Sequence, residues 1–270
     1  MLTATFQHAE GIGETTERKL WDAGILSWEN ALQTTAQIPL SRAKREKLLP
    51  ILEQSQNALR QQDFAYFAQT LSSREQWRTL PHFQDRIGFL DIETNGGYDA
   101  NDITVIGVYD GVESRLYVQG QNLDDFALEA ERIALWVTFF GSGFDIPFLK
   151  RRFPHLPWNQ LHIDLCPALK RLGYKGGLKA IEDRLGIRRT PEVEGLSGLD
   201  AVHLWNLWRR HKNEEALRRL LAYNRADIEN LSPLLDFAYK NLCSASGFPG
   251  SLDTPATEVP RRAVFRRRAI

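Results

Sequence analysis

The chain has two cysteines and one methionine in 270 residues. Cys166 and Cys243 are too few for a disulfide framework and lack the paired spacing of a zinc site, which excludes a disulfide-stapled secreted fold and a thiolate metal centre. No stretch approaches the roughly 18 uninterrupted apolar residues of a membrane span. The N-terminus shows no basic start followed by an apolar run, so no secretory leader is expected. Internal repeats are absent. These absences leave an ordinary globular chain, expected in a reducing cytoplasm and without a membrane partner.

Net charge is absent too, since 34 Lys and Arg balance 34 Asp and Glu. The balance hides an asymmetry: residues 91–145 hold eleven acids against two Arg and no Lys, and residues 146–190 hold ten Lys and Arg against three acids. An acidic block beside a basic one suits a site that takes both cations and a polyanion. It equally suits two solvated faces of unlike sign, and charge alone does not decide between them.

Residues 1–61 read as helical. Ala9-Glu10-Gly11-Ile12-Gly13 is a turn between two helical patterns, Thr15-Thr16-Glu17 supplies cap-type chemistry, and 41–61 is an amphipathic helix with Leu48, Ile51, Leu52 and Leu59 on its apolar side. Residues 62–82 form a connector rich in aromatics (Phe64, Tyr66, Phe67, Trp77), expected to pack down. From 83 the pattern changes. Residues 87–92, 103–109 and 112–119 read as strands, the last two joined by a tight turn at Asp110-Gly111. A helix over 124–133 leads to a fourth strand over 134–140, and from Asp145 to about 245 the chain reads mostly as helix. Strands first and helices after predict an α/β fold around a mixed sheet. Residues 246–270, with three prolines and five arginines, are expected to be a disordered basic tail.

Asp91 and Glu93 lie two apart on a predicted strand, so both side chains leave the same face. Like charges that close raise each other's pKa, a cost that a bound cation removes. Asp145 precedes Ile146-Pro147, a good N-cap position that is compatible with metal ligation. Tyr223 and Asp227 stand four apart on the last long helix, on a face that also carries Leu220 and Leu231 and therefore points inward. An inward Asp needs a partner, either a cationic side chain or a metal.

Three segments, Phe89-Leu90-Asp91-Ile92-Glu93-Thr94, Phe144-Asp145-Ile146-Pro147-Phe148-Leu149 and Tyr223-Asn224-Arg225-Ala226-Asp227, resemble in order and spacing the three motifs of the DEDD superfamily of 3′–5′ exonucleases, tyrosine type. The fit is closest to bacterial ribonuclease H-like predicted exonucleases, which also show segments like residues 73–78, 162–165 and 198–205. The resemblance spans about residues 62–242. It implies a ribonuclease H-like fold over 83–245 and a DNA or RNA substrate. It also implies two Mg²⁺ or Mn²⁺ ions held by Asp91, Glu93, Asp145 and Asp227, with Tyr223 orienting the attacking water and no small-molecule cofactor. Oxygen-only ligands suit these hard cations. Tyrosine, with a reference pKa near 10, suits positioning better than general-base work. Thr94 is a candidate substrate contact. Gly11 and Gly13, in a turn that resembles a helix-hairpin-helix, are candidate phosphate contacts. Phe140 departs from the pattern, standing where related sequences usually carry Asn, and Asn95 replaces a commoner Thr.

Lys150, Arg151 and Arg152 are expected to form a solvated helix face, Trp205 and Trp208 to lie in the core, His162 and His203 to be structural, and Asp164 to cap a helix. The alternatives to an exonuclease are a structure-specific endonuclease on the same fold and a nucleic-acid-binding module without catalysis. All four acids and Tyr223 are present, which speaks against the last.

Overall fold

Residues 1–250 are described in the computed structural model of the chain. The apolar run at 87 becomes strand β1 (Ile87–Thr94), followed by β2 (Ile103–Tyr109), β3 (Ser114–Val118), β4 (Leu135–Thr138) and β5 (Leu161–Asp164). They form one mixed sheet in the order β3-β2-β1-β4-β5. Pairing is antiparallel from β3 to β1 and parallel from β1 through β4 to β5. Helices α1 (Glu14–Asp22), α2 (Trp28–Gln33), α3 (Arg42–Arg60), α4 (Phe64–Thr70) and α5 (Leu80–Phe83) precede the sheet. Between strands lie α6 (Phe126–Ala130) and α7 (Asp145–Arg152); after them come α8 (Leu165–Arg171), α9 (Leu178–Leu185), α10 (Gly198–His211) and α11 (Glu214–Ala245).

Central β1 is covered on both faces. Ile87 and Phe89 join a core that includes Leu231, Leu234, Leu235 and Leu242 of α11. Leu90 and Ile92, pointing the other way, pack with Phe126, Trp136, Phe148 and Leu149. The period of two therefore continues the Ile87–Phe89 face into Asp91 and Glu93. Helix α11 runs opposite to β1. Its later turns cover the apolar half of that face, and its earlier turns, with Tyr223 and Asp227, reach the acidic half.

Several expectations need correction. The expected strand over 134–140 is shorter, Leu135–Thr138. Strand β5 falls where helix was expected. Leu161 and Ile163 are buried and His162 and Asp164 only partly so, a four-residue alternation too short to stand out among helical patterns. The hairpin between β2 and β3 has a longer turn than two residues. Asp110 Oδ1 accepts the N–H groups of Val112 and Glu113, both at 2.9 Å, and Gly111 takes the positive φ (92°).

At the N-terminus, Leu2–Ala4 is a single 3-10 turn rather than a helix ahead of the glycine turn. The buried Glu17 carboxylate accounts for this. It accepts from Thr5 Oγ1 at 2.6 Å, Phe6 N at 2.8 Å and Gln7 Nε2 at 2.7 Å, with Thr5 in extended conformation, so the helical turn does not continue past it. After α11, Phe248 packs edge-on against Trp21 with ring centroids 5.2 Å apart, so packing does not stop at 246. Residues 251–270, with the arginine-rich end expected to be disordered, lie outside the described residues.

A buried ionic knot ties α1 to the stretch before the sheet. Arg78 pairs with Glu17 at 3.2 Å and Glu75 at 2.7 Å, and none of the three side chains is more than 6% exposed. Its guanidinium also lies 5.0 Å from the Trp77 ring centre and 5.9 Å from that of Trp21. Removing Arg78 leaves Glu17 a buried charge with neutral donors alone, while Glu75 keeps Arg171 at 3.3 Å. Arg78→Ala is expected to lower unfolding free energy by about 3–5 kcal/mol in urea denaturation. A loss below about 1 kcal/mol, the range of an exposed pair, would show that the knot is not holding these segments together.

Candidate metal centre

The site forms where the acidic half of β1 faces α11. Asp91, Glu93 and Asp227 each offer a carboxylate oxygen, and these atoms lie within 4.8 Å of one another. Glu93 and Asp227 are buried, while Asp91 keeps a partly open face. Asp145 is 3% exposed and stands just outside this group of three. It does not cap α7 as expected. The cap position is Phe144, without a side-chain bond, and Asp145 Oδ1 instead accepts the Ile92 N–H of β1 at 2.9 Å. That bond fastens the start of α7 to the strand between the two β1 acids.

The loop that delivers Asp145 is itself clamped. Asp164, at the end of β5, accepts from Phe140 N at 2.8 Å and Ser142 N at 3.0 Å, as well as capping α8 through Cys166 N at 3.1 Å. The capping expected of Asp164 is therefore half of its work. Gly141 passes so close to Thr138 that a Cβ there would meet its side chain at 2.2 Å. Phe140 holds φ at 65°, a left-handed conformation uncommon for a bulky residue, and leaves its ring 58% exposed.

Burial and crowding set the charge state. Burial, then the negative charges of Asp145, Asp227 and Glu93, push the Asp91 carboxyl well above the usual range. Glu93 is raised in the same way by burial and Asp227, against a lowering contribution from Asn224. Asp145 is pushed up to about 7, mainly by burial and against the hydrogen bond from Ile92. Asp227 is raised by burial, with Arg189 opposing. Tyr223 is buried and its hydroxyl is pushed above its ordinary value by desolvation and the charges of Asp227, Glu93 and Asp91, so it remains a hydrogen-bond donor at neutral pH.

Four supporting residues escaped the sequence reading. Asn224 Nδ2 donates to Asp91 Oδ2 at 2.9 Å and approaches Glu93 Oε1 at 3.5 Å. Its own Oδ1 lies against Gly107, where a Cβ would meet it at 2.0 Å; Gly107 is the β2 partner of Asp91. Arg189 pairs with Asp227 Oδ1 at 2.5 Å and with Glu182 at 2.7 Å. Lys179 Nζ sits 4.7 Å from the Tyr223 ring centre. Asn224 had a signal, being three residues before Asp227 on one helical face. The other three lie in the basic block, far from the motifs in sequence.

The remaining candidates are elsewhere or do other work. Thr94 closes β1 at a register shift and accepts Gly96 N at 3.3 Å. Gly11 and Gly13 lie in the turn before α1, with open space around a Cβ at either. His162 Nε2 is 2.8 Å from Thr138 Oγ1. Trp205 is buried, its ring centre 4.8 Å from that of Trp208. Arg151 donates to Tyr98 O at 3.1 Å and Arg152 pairs with Asp124.

Crowded, desolvated carboxylates with oxygen-only donors fit a divalent hard cation, which would remove the repulsion that raises their pKa values. A five-stranded mixed sheet in this order, with acids on its central strand and on the long helix across it, defines the class of protein. Residues 88–239 match the RNase_H superfamily, and the chain belongs to that superfamily. Among solved structures, a similar one is the family B DNA polymerase from the hyperthermophilic archaeon Pyrobaculum calidifontis. It has 16% identity and a TM-score of 0.43, over 57% of this chain and 25% of the polymerase. No curated protein matches in sequence.

A carboxyl whose folded pKa is raised costs nothing at low pH and destabilises increasingly as pH climbs from its unfolded value through its folded one. For Asp145 that window runs from 3.8 to about 7. Without metal, Asp145→Asn is therefore expected to melt higher than wild type at about pH 8.5, with the difference shrinking as pH falls to about 6. Comparing the two chains at each pH cancels the opposing titration of the buried His8 and the half-buried His162, both lowered by desolvation. An advantage that stays constant with pH, or none at pH 8.5, would contradict the assignment of this strain to Asp145.

Proposed function

We propose that the chain is a two-metal-ion 3′–5′ exonuclease that hydrolyses phosphodiester bonds of DNA or RNA. The observation that carries this reading is the convergence of Asp91, Glu93 and Asp227, with Asp145 and Tyr223 beside them, in a chain of the RNase_H superfamily. Asp91, Glu93, Asp145 and Asp227 would hold Mg²⁺ or Mn²⁺. When bound there, such cations would supply electrostatic stabilisation of the charge that develops on the entering and leaving oxygens.

The chain's own residues supply orientation and exclusion of water. The partly open face of Asp91 is the side from which a phosphodiester enters. Tyr223, kept protonated by its surroundings, donates a hydrogen bond that orients the nucleophilic water rather than taking its proton. Asn224 holds Asp91 in register against Gly107. Thr94, next to Glu93 at the end of β1, is proposed as a substrate contact. Gly11 and Gly13, open to solvent ahead of α1, are proposed to approach backbone phosphates further along the strand. The exposed ring of Phe140 replaces a polar contact in the loop that delivers Asp145.

The test is incubation of purified protein with 5′-labelled single-stranded DNA and RNA in Mg²⁺, Mn²⁺ or EDTA, alongside Asp91→Asn. The expected result is a metal-dependent ladder of progressive shortening that the variant loses by at least about a hundredfold, the scale of a lost electrostatic contribution to catalysis. Internal cuts on end-blocked substrate would favour an endonuclease. Binding without cleavage under either metal would leave a nucleic-acid-binding module.

A further inference from the structure

Arg189 is a buried cation in contact with a residue of the acidic cluster. Gly186, left-handed at φ 73°, ends α9 and turns the chain back, so Arg189 returns to Glu182 of that helix. Arg189 Nε donates to Glu182 Oε2 at 2.7 Å and Nη2 donates to Glu182 Oε1 at 2.8 Å. The same Nη2 lies 2.5 Å from Asp227 Oδ1. Asn230, one turn beyond Asp227 on α11, fixes the far side through Nδ2 to Glu182 Oε1 at 3.1 Å. Side-chain exposures of 2% for Glu182, 6% for Arg189 and 7% for Asp227 show that water screens none of them.

A guanidinium does not lose its proton in a protein, so a fixed positive charge adjoins a carboxylate that belongs to the proposed cation site. Left alone, that charge would satisfy Asp227 and repel a divalent cation. Glu182 prevents this: its bidentate fork neutralises Arg189 and leaves it one close ionic contact with Asp227.

We propose that Arg189, balanced by Glu182, is a positioning residue that holds Asp227 and sets how tightly the cluster takes a divalent cation. This rests on the metal-centre reading above and adds a determinant of affinity outside the four acids. In the metal-free protein Arg189 supplies part of the counter-charge. In the loaded protein Asp227 serves two cations at once, and the Glu182 charge decides the division. The two partners therefore act on cation affinity with opposite signs, which packing alone would not produce.

The test is Mn²⁺ titration of the full chain by isothermal calorimetry, with melting temperatures recorded with and without Mn²⁺, for wild type, Arg189→Gln and Glu182→Gln. Arg189→Gln removes a repelling charge and is expected to bind Mn²⁺ about tenfold more tightly, to melt lower without metal and to recover more on loading. Glu182→Gln leaves the guanidinium unbalanced and is expected to bind about tenfold more weakly. An Arg189→Gln chain that folds only with Mn²⁺ would also support the proposal. If it folds in neither state, Glu182→Gln decides. Unchanged dissociation constants, or shifts of both variants in the same direction, would overturn the role of Arg189 and leave the metal centre standing. A wild-type chain that takes no Mn²⁺ would overturn the metal centre itself, and this proposal with it.

Discussion

Carboxylates held closer together, and drier, than their charges tolerate are the constraint around which this part of the fold is organised. A strand gives two such positions at no topological cost, since residues two apart share a face. Buried on both sides, β1 places that face against a helix instead of water. The face changes character along its length, with Ile87 and Phe89 apolar and Asp91 and Glu93 acidic. Helix α11 matches the change because it runs in the opposite direction. Leu231, Leu234 and Leu235 meet the apolar half, and Asp227 completes the acidic half. One strand-to-helix contact thus supplies both core and site.

Such a cluster cannot be held by its own members, which repel. The restraint comes from groups outside the cluster that touch its acids. The Ile92 N–H holds Asp145, Asn224 holds Asp91 and Arg189 holds Asp227. Two of these are braced in turn, Asn224 by the close approach of Gly107 and Arg189 by Glu182. Asp164 does the same for the loop that carries Asp145, through two backbone N–H groups. A charged ligand kept in orientation by a directional neutral or balanced partner is the arrangement by which outer residues tune a metal site.

Much of this was legible in the sequence, for identifiable reasons. β1 and β2 are short apolar runs between turn residues, and the shared face of Asp91 and Glu93 follows from their spacing alone. The inward face of α11 follows from Leu220, Tyr223, Asp227 and Leu231. What could not be read is what depends on distant parts of the chain meeting. β5 is four residues long and shows its alternation only once its neighbours are known. Asp145 reads as a helix cap because Ile-Pro follows it, and its actual partner is a backbone N–H on strand β1. Arg189 and Glu182 lie in a basic stretch whose charge alone does not distinguish a solvated face from a site, and here they are buried beside the acids. The non-helical start of the chain is held by Glu17 reaching back to Thr5, Phe6 and Gln7, an arrangement that local helical propensity does not reveal.

The central claim is that this cluster exists to hold a divalent cation. It is tested most directly by a crystal of the protein soaked in Mn²⁺ and measured at the manganese absorption edge. The claim requires an anomalous peak bounded by oxygens of Asp91, Glu93 and Asp227. A map with no peak among these residues at saturating Mn²⁺, or with manganese bound only elsewhere on the chain, would contradict it.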